Sequence, residues 1–197
     1  MLQTRLQSLG VFTTLLHEPR SIRDTILEYC KRVGDGVVTD DFISSLFLMD
    51  GDKNRTEEVS LPSKILIRDR DTSISQFAYH YKLGTTDEFI CAMSEYINKI
   101  NGLDLLIYMD LPVEIAIQRI KMRHENEGKA IDIYFEREEK LRRIHANYST
   151  FIADKDIQKR CGLENLKIYM ISANDSVSNI ANKVWSFVTT ELGNLPI

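Results

Sequence analysis

The stretch that most constrains the fold is residues 64–79, KILIRDRDTSISQFAY. Ile65, Leu66 and Ile67 form a short apolar run, the pattern of a buried parallel strand. Asp69 and Arg70 follow where that strand must end, and small polar residues then lead into a helical pattern. In an open α/β sheet, ligands bind beyond the carboxyl ends of the strands. An acid beside an arginine at that point suits a metal and a phosphate; the alternative is a surface ion pair in a loop.

The rest of the chain alternates in the same way. Residues 1–9 carry Leu2, Leu6 and Leu9 at helical spacing, and Gly10 stops them. Residues 11–16 predict a strand ending in His17, Glu18 and Pro19. Residues 21–33 predict an amphipathic helix, and Asp40 or Asp41 would cap the next one, which carries Phe42, Ile43, Leu46 and Phe47. Residues 51–62 are polar and read as a loop or an exposed helix end. Helices follow at 75–83 and 87–100. A second buried-strand run, LDLLIYMDL, covers 103–111, and Pro112 opens a helix to about His124. A long helix over 134–154, a strand over 166–172 and a helix over 176–192 complete the pattern. Strands alternating with helices predict a three-layer α/β fold, a doubly wound parallel sheet with right-handed crossovers. The whole of 1–197 reads as a single domain.

Composition narrows the partners. With 43% hydrophobic and 27% charged residues the chain is an ordinary globular one, and its net charge of −4 argues against nucleic acid or an anionic membrane as partner. No apolar run reaches membrane-spanning length and no signal-peptide core is visible, so a cytoplasmic protein is expected. Cys30, Cys91 and Cys161 form no C-x-x-C pair and read as reduced thiols, not a metal site or a disulfide framework. His17, His80, His124 and His145 are scattered without ligand spacing.

Four segments carry a resemblance. They are LLHEP (15–19), ILIRDRDTSISQFAY (65–79), DLLIYMDLPVEIAIQRIKMR (104–123) and AIDIYFEREEKLRRIHANY (130–148). In this order they resemble the thymidylate kinase family of P-loop nucleoside monophosphate kinases; residues 119–148 also look like the lid region of deoxynucleoside kinases. The resemblance implies a P-loop-kinase-like fold and transfer of a phosphoryl group from ATP, with Mg2+, to dTMP. It leaves open a deoxynucleoside kinase, or a relative that binds a nucleotide or a partner without catalysis. A homodimer is also an open option.

There are departures. Family members begin with a strand and the loop G-x-x-x-x-G-K-[ST], which cradles the donor phosphates. These 197 residues contain neither, and the Gly128-Lys129 pair is followed by Ala130. Ser75 and Ala78 lie one residue later after Asp69-Arg70 than the family spacing. Gly51 stands where an arginine contacts the base, and Ile133-Tyr134 stand where an arginine precedes the lid aromatic.

By resemblance, Asp69 holds or orients Mg2+ through water and Arg70 grips the acceptor phosphate with its planar fork. Arg119, Arg123 and Lys121 are lid cations, or else a solvated helix face, within a lid over about 119–136. Phe47 and Tyr79 line the base pocket, although an aromatic on an apolar helical face also serves as plain core, and Ser75 is a further substrate-binding residue. Phe135 lies near the sugar, with Glu136 beside it. Glu18 marks the acceptor side of the cleft, or is a solvated strand-end acid. The strands at 65–68 and 105–109 flank the family's first strand, so here they are expected to pair with each other or to have the gap filled by another segment or chain.

Overall fold

Apolar runs and helical periods become strands and helices in an order that matches the alternation. The computed structural model describes residues 1–33, 38–82, 87–128 and 136–193. The elements are α1 (Leu2–Ser8), β1 (Thr13–His17), α2 (Arg23–Lys31), α3 (Asp40–Glu58), β2 (Ile65–Asp69), α4 (Thr72–His80), α5 (Asp87–Asn101), β3 (Leu105–Asp110), α6 (Val113–Glu127), α7 (Glu138–Ala153), α8 (Lys155–Arg160), β4 (Lys167–Ser172) and α9 (Val177–Leu192).

Side chains alternate across a strand, and β3 shows that both faces are covered. Leu105 and Ile107 pack on Leu6 of α1 and Val188 of α9. Leu106 turns the other way, with Ile168 of β4, onto Ile74, Phe77, Ile90 and Phe151 from α4, α5 and α7. Helices on both faces of parallel strands make the three-layer, doubly wound α/β architecture. Phe77 and Phe151 anchor the larger cluster, both fully buried, with ring centroids 5.5 Å apart. Burying each contributes roughly 2–3 kcal/mol.

The strands form two parallel pairs. β1 pairs with β2 from Thr13↔Ile65 to His17↔Asp69, and β3 pairs with β4 from Leu105↔Lys167 to Asp110↔Ser172. β2 and β3 lie over the same α1–α9 cluster, through Ile65, Ile67, Leu105 and Ile107, yet belong to separate sheets. This overturns the expectation that the two strands pair with each other. No described strand pairs between them, and Arg68 spans the interval by donating to the carbonyls of Asn101 (3.0 Å) and Gly102 (3.1 Å). The apolar runs are accordingly half-buried rather than buried.

Other boundaries moved for local reasons. α3 runs straight through Gly51 to Glu58 because Gly51 is buried against α4, where a Cβ would stand 2.7 Å from Thr72 Cγ2. Its cap is Thr39, whose side chain accepts from the Phe42 N–H, not Asp40 or Asp41. α4 begins at Thr72, ahead of the expected 75, because Asp71 accepts from the Ser73 and Ile74 N–H groups. α8 went unpredicted; Asp154 caps it and six residues are too few for a period to show.

Candidate active site

The carboxyl ends of β1 and β2 converge on a closed network of charges. Arg55, fully buried on α3, reaches three carboxylates at once. Its Nη1 donates to Glu18 Oε1 and, at 3.2 and 3.3 Å, to both oxygens of Glu58. Its Nη2 donates to Asp71 Oδ2 at 2.5 Å. Arg68 adds a second guanidinium, donating to Glu58 Oε2 at 2.6 and 3.1 Å. Glu18 is completed by the Thr72 N–H (2.5 Å) and hydroxyl (2.6 Å) on Oε2. Burial, then the charge of Asp71, pushes the Glu18 carboxyl above the usual carboxylate range, against the pull of Arg55. The expected alternative of a solvated strand-end acid is therefore wrong: Glu18 is 5% exposed and both its oxygens are engaged.

This network fixes the turn between β2 and α4. Asp71 is held by Arg55 on one oxygen and by the Ser73 hydroxyl, at 2.5 Å, on the other. The residue before it, Arg70, sits at φ 70°, the left-handed region that non-glycine residues seldom visit. Arg70 is thereby exposed at the strand end, and among the described residues its side chain has no hydrogen bond or ion pair. It does not pair with Asp69. That acid's Oδ2 instead lies in hydrogen-bond contact with His17 Nδ1 at 3.0 Å, a pair about two-thirds exposed on both sides. Such a pair contributes little to stability, about 0–1 kcal/mol.

An aromatic corner adjoins Arg70. Tyr148 of α7 lies 3.5 Å from the Ser75 hydroxyl and its ring tilts against Tyr108 of β3, with centroids 5.3 Å apart. Burial pushes the Tyr148 hydroxyl up to about 12, with Tyr79 and Tyr108 adding to the rise while Ser75 and the nearby Arg70 oppose it. Tyr79 stands under the Lys140 ammonium, 6.0 Å from its ring centroid. Arg70, Ser75 and Tyr79 thus share one neighbourhood. Phe47 does not visibly join them: it packs on the α2–α3 cluster of Ile26, Cys30, Val38 and Ile43.

The cations of α6 are set differently. Arg119 is exposed and donates to the Ala173 carbonyl at 3.3 Å. Arg123 grips both oxygens of Glu136, at 2.7 and 2.8 Å. Lys121 is exposed. Phe135 lies outside the described residues.

No protein-family model matches the chain. The structure of deoxyadenosine kinase from M. mycoides with bound dCTP superposes with a TM-score of 0.59 over 96% of this chain and 91% of that one, at 15% identity.

The chain has the nucleoside-kinase fold.

Within that fold, residue-level similarity is confined to part of the chain. "Probable thymidylate kinase 1" of Saccharolobus solfataricus is 31% identical over 90 residues, 46% of this chain and 46% of that protein. The match thus spans about half the length of that curated relative. The carboxyl ends of parallel strands such as β1 and β2 are where open α/β sheets in general bind ligands. Sequence reasoning missed Arg55, Glu58, Arg68, Asp71 and Tyr148. Arg55 and Glu58 at i,i+3 were a signal, but a polar helix end carries such pairs without burying them.

Proposed function

We propose that this chain is an ATP-dependent nucleotide kinase whose acceptor is a deoxynucleoside monophosphate, dTMP, converted to dTDP. The observation that carries the reading is Arg70. A guanidinium held out at a strand end, in a constrained backbone conformation and without an ion partner among the described residues, suits an incoming phosphate. Ser75 and Tyr79 are assigned with it to the acceptor pocket, Phe47, from its place in the α2–α3 cluster, to the base, and Phe135, outside the described residues, to the sugar. Residues 1–197 are read as one domain with a lid over about 119–136, of which 129–135 lie outside the described residues.

Glu18 argues for a phosphate acceptor over a hydroxyl. A nucleoside hydroxyl must lose a proton during transfer, and a buried acid is a natural base for it. Both oxygens of Glu18 are already committed to Arg55 and Thr72. A monophosphate arrives ionised and needs no such base. The exposed His17–Asp69 pair is what favours the second reading, a deoxynucleoside kinase, because it places an acceptor of protons at the same strand ends.

The implied Mg2+ fits one residue. Magnesium keeps several waters and takes one or two carboxylates. Asp69 is exposed, and its Oδ1 has no partner among the described residues. When bound, the ion would neutralise phosphate charge. Donor phosphates would meet Arg119 and Arg123, of which Arg119 is the less encumbered, held by a single hydrogen bond.

Calorimetric titration of the purified chain tests the reading. dTMP should bind more tightly than thymidine and more tightly than Mg-ATP, since these 197 residues include no G-x-x-x-x-G-K-[ST]. Thymidine binding as tightly as dTMP would remove the phosphate acceptor and favour the hydroxyl one. Micromolar Mg-ATP binding would show that other residues of the chain hold the donor.

A further inference from the structure

Cys91 and Cys161 are 70 residues apart in sequence and touch in the core, with their sulfurs 3.6 Å apart. Cys91 lies on α5 and Cys161 closes α8. Both belong to the cluster built on Phe77 and Phe151, at 4% and 1% exposure. The backbones also meet there. Gly162, next to Cys161, has φ +73°, and a Cβ on it would stand 3.1 Å from Glu95 Cα, one turn beyond Cys91 on α5. The third cysteine, Cys30, lies in the separate α2–α3 cluster.

Two buried sulfurs in contact are either inert packing or a poised pair. The hydrogen bond decides for the second. The Cys161 thiol donates to Cys91 sulfur. That bond holds the Cys91 thiol below its ordinary value, against burial, while the same bond and burial push Cys161 up. A thiolate is the nucleophile in thiol oxidation, and a neighbouring thiol resolves the product. Closing to a disulfide needs the sulfurs to approach by about 1.5 Å, within reach of side-chain rotation where backbones are already close.

We propose that Cys91 and Cys161 form an oxidisable dithiol that hydrogen peroxide converts to an intramolecular disulfide stapling α5 to α8. Cys91 sulfur attacks one peroxide oxygen and the O–O bond breaks. The departing hydroxide takes the Cys91 proton as water, leaving a sulfenic acid. Cys161 sulfur then attacks Cys91 sulfur, the S–O bond breaks, and the leaving hydroxide takes the Cys161 proton as a second water. Two thiols lose two electrons and peroxide gains them. The staple lies close to the β2–α4 turn: Asn98 donates to the Cys161 carbonyl at 2.8 Å and to Ser73 Oγ at 3.2 Å.

The test treats the folded full chain with hydrogen peroxide, then unfolds it, alkylates remaining thiols and maps the peptides by mass spectrometry. The expected product lacks two hydrogens, links the Cys91 and Cys161 peptides, and leaves Cys30 alone to be alkylated. The thermal midpoint should rise by about 10 °C and fall back with dithiothreitol, because the bond closes a long loop. Cys30→Ala should behave identically, whereas Cys91→Ala should show neither linkage nor rise. Three alkylated thiols after oxidation of the folded chain, separate sulfonic acids, or linkage through Cys30 would each overturn the proposal. The mapping on the unmutated chain and Cys30→Ala decides the matter even if Cys91→Ala does not fold.

Discussion

Arg55 and Asp71 meet at 2.5 Å in a space closed to solvent, and through that contact α3 sets the turn that presents Arg70. Asp71 caps α4 with one oxygen and takes Arg55 with the other. The exposed arginine therefore depends on a buried one, fifteen positions earlier in sequence, that touches no surface.

Removing Arg55 leaves three acids, Glu18, Glu58 and Asp71, buried without their shared cation. Uncompensated buried charge is costly, and breaking such a pair removes about 3–5 kcal/mol. Arg55→Ala should lower the unfolding free energy in urea by that amount. A change under about 1 kcal/mol would mean that water or rearrangement replaces the guanidinium.

Gly51→Ala sets two effects against each other. Alanine favours a helix over glycine by about 1 kcal/mol. The new Cβ would meet Thr72 Cγ2 at 2.7 Å, and Thr72 cannot turn aside while its hydroxyl holds Glu18. Overpacking should win, with a net loss of about 1–3 kcal/mol. Adding Thr72→Ser removes the methyl group and should restore part of it. Denaturant midpoints of the single and double variants give the comparison.

His80 is 1% exposed, and its Nδ1 has no hydrogen-bond partner among the described residues. Burial, with Lys140 nearby, lowers its pKa from 6.5 to about 4, opposed by Asp40 and Asp41. Between these values the unfolded chain binds the proton and the folded one does not. Stability from this group is thus complete above pH 6.5 and is lost as pH falls toward 4. The difference corresponds to about 3 kcal/mol. His80→Leu should flatten the unfolding free energy over that acid range relative to the parent; an unchanged slope would assign it to other groups.

Much of this was legible in the sequence. The runs at 65–69 and 105–110 became β2 and β3 because short apolar runs bounded by polar residues have few other uses. Their neighbours were not legible, since a pattern specifies that a strand exists and which faces it buries, not which edge it pairs. α3 was cut short at Gly51 because glycine reads as a breaker until the close approach of Thr72 is seen. The exposed half of the site, Asp69 and Arg70, stood out as charges at a strand end. The buried half did not, because Arg55 and Glu58 look like any solvated helical pair until tertiary contacts enclose them.

Arg70 is proposed as a phosphate clamp, and calorimetry of dTMP against thymidine on Arg70 variants tests that role most directly. Charge-assisted hydrogen bonds contribute roughly 1.5–3 kcal/mol. Arg70→Ala should weaken dTMP binding by about 10- to 150-fold. Arg70→Lys should recover part of that, keeping the charge but losing the fork. Thymidine, without a phosphate, should be almost indifferent to either change. Equal losses for dTMP and thymidine, or a chain that simply unfolds on Arg70→Ala, would contradict the clamp.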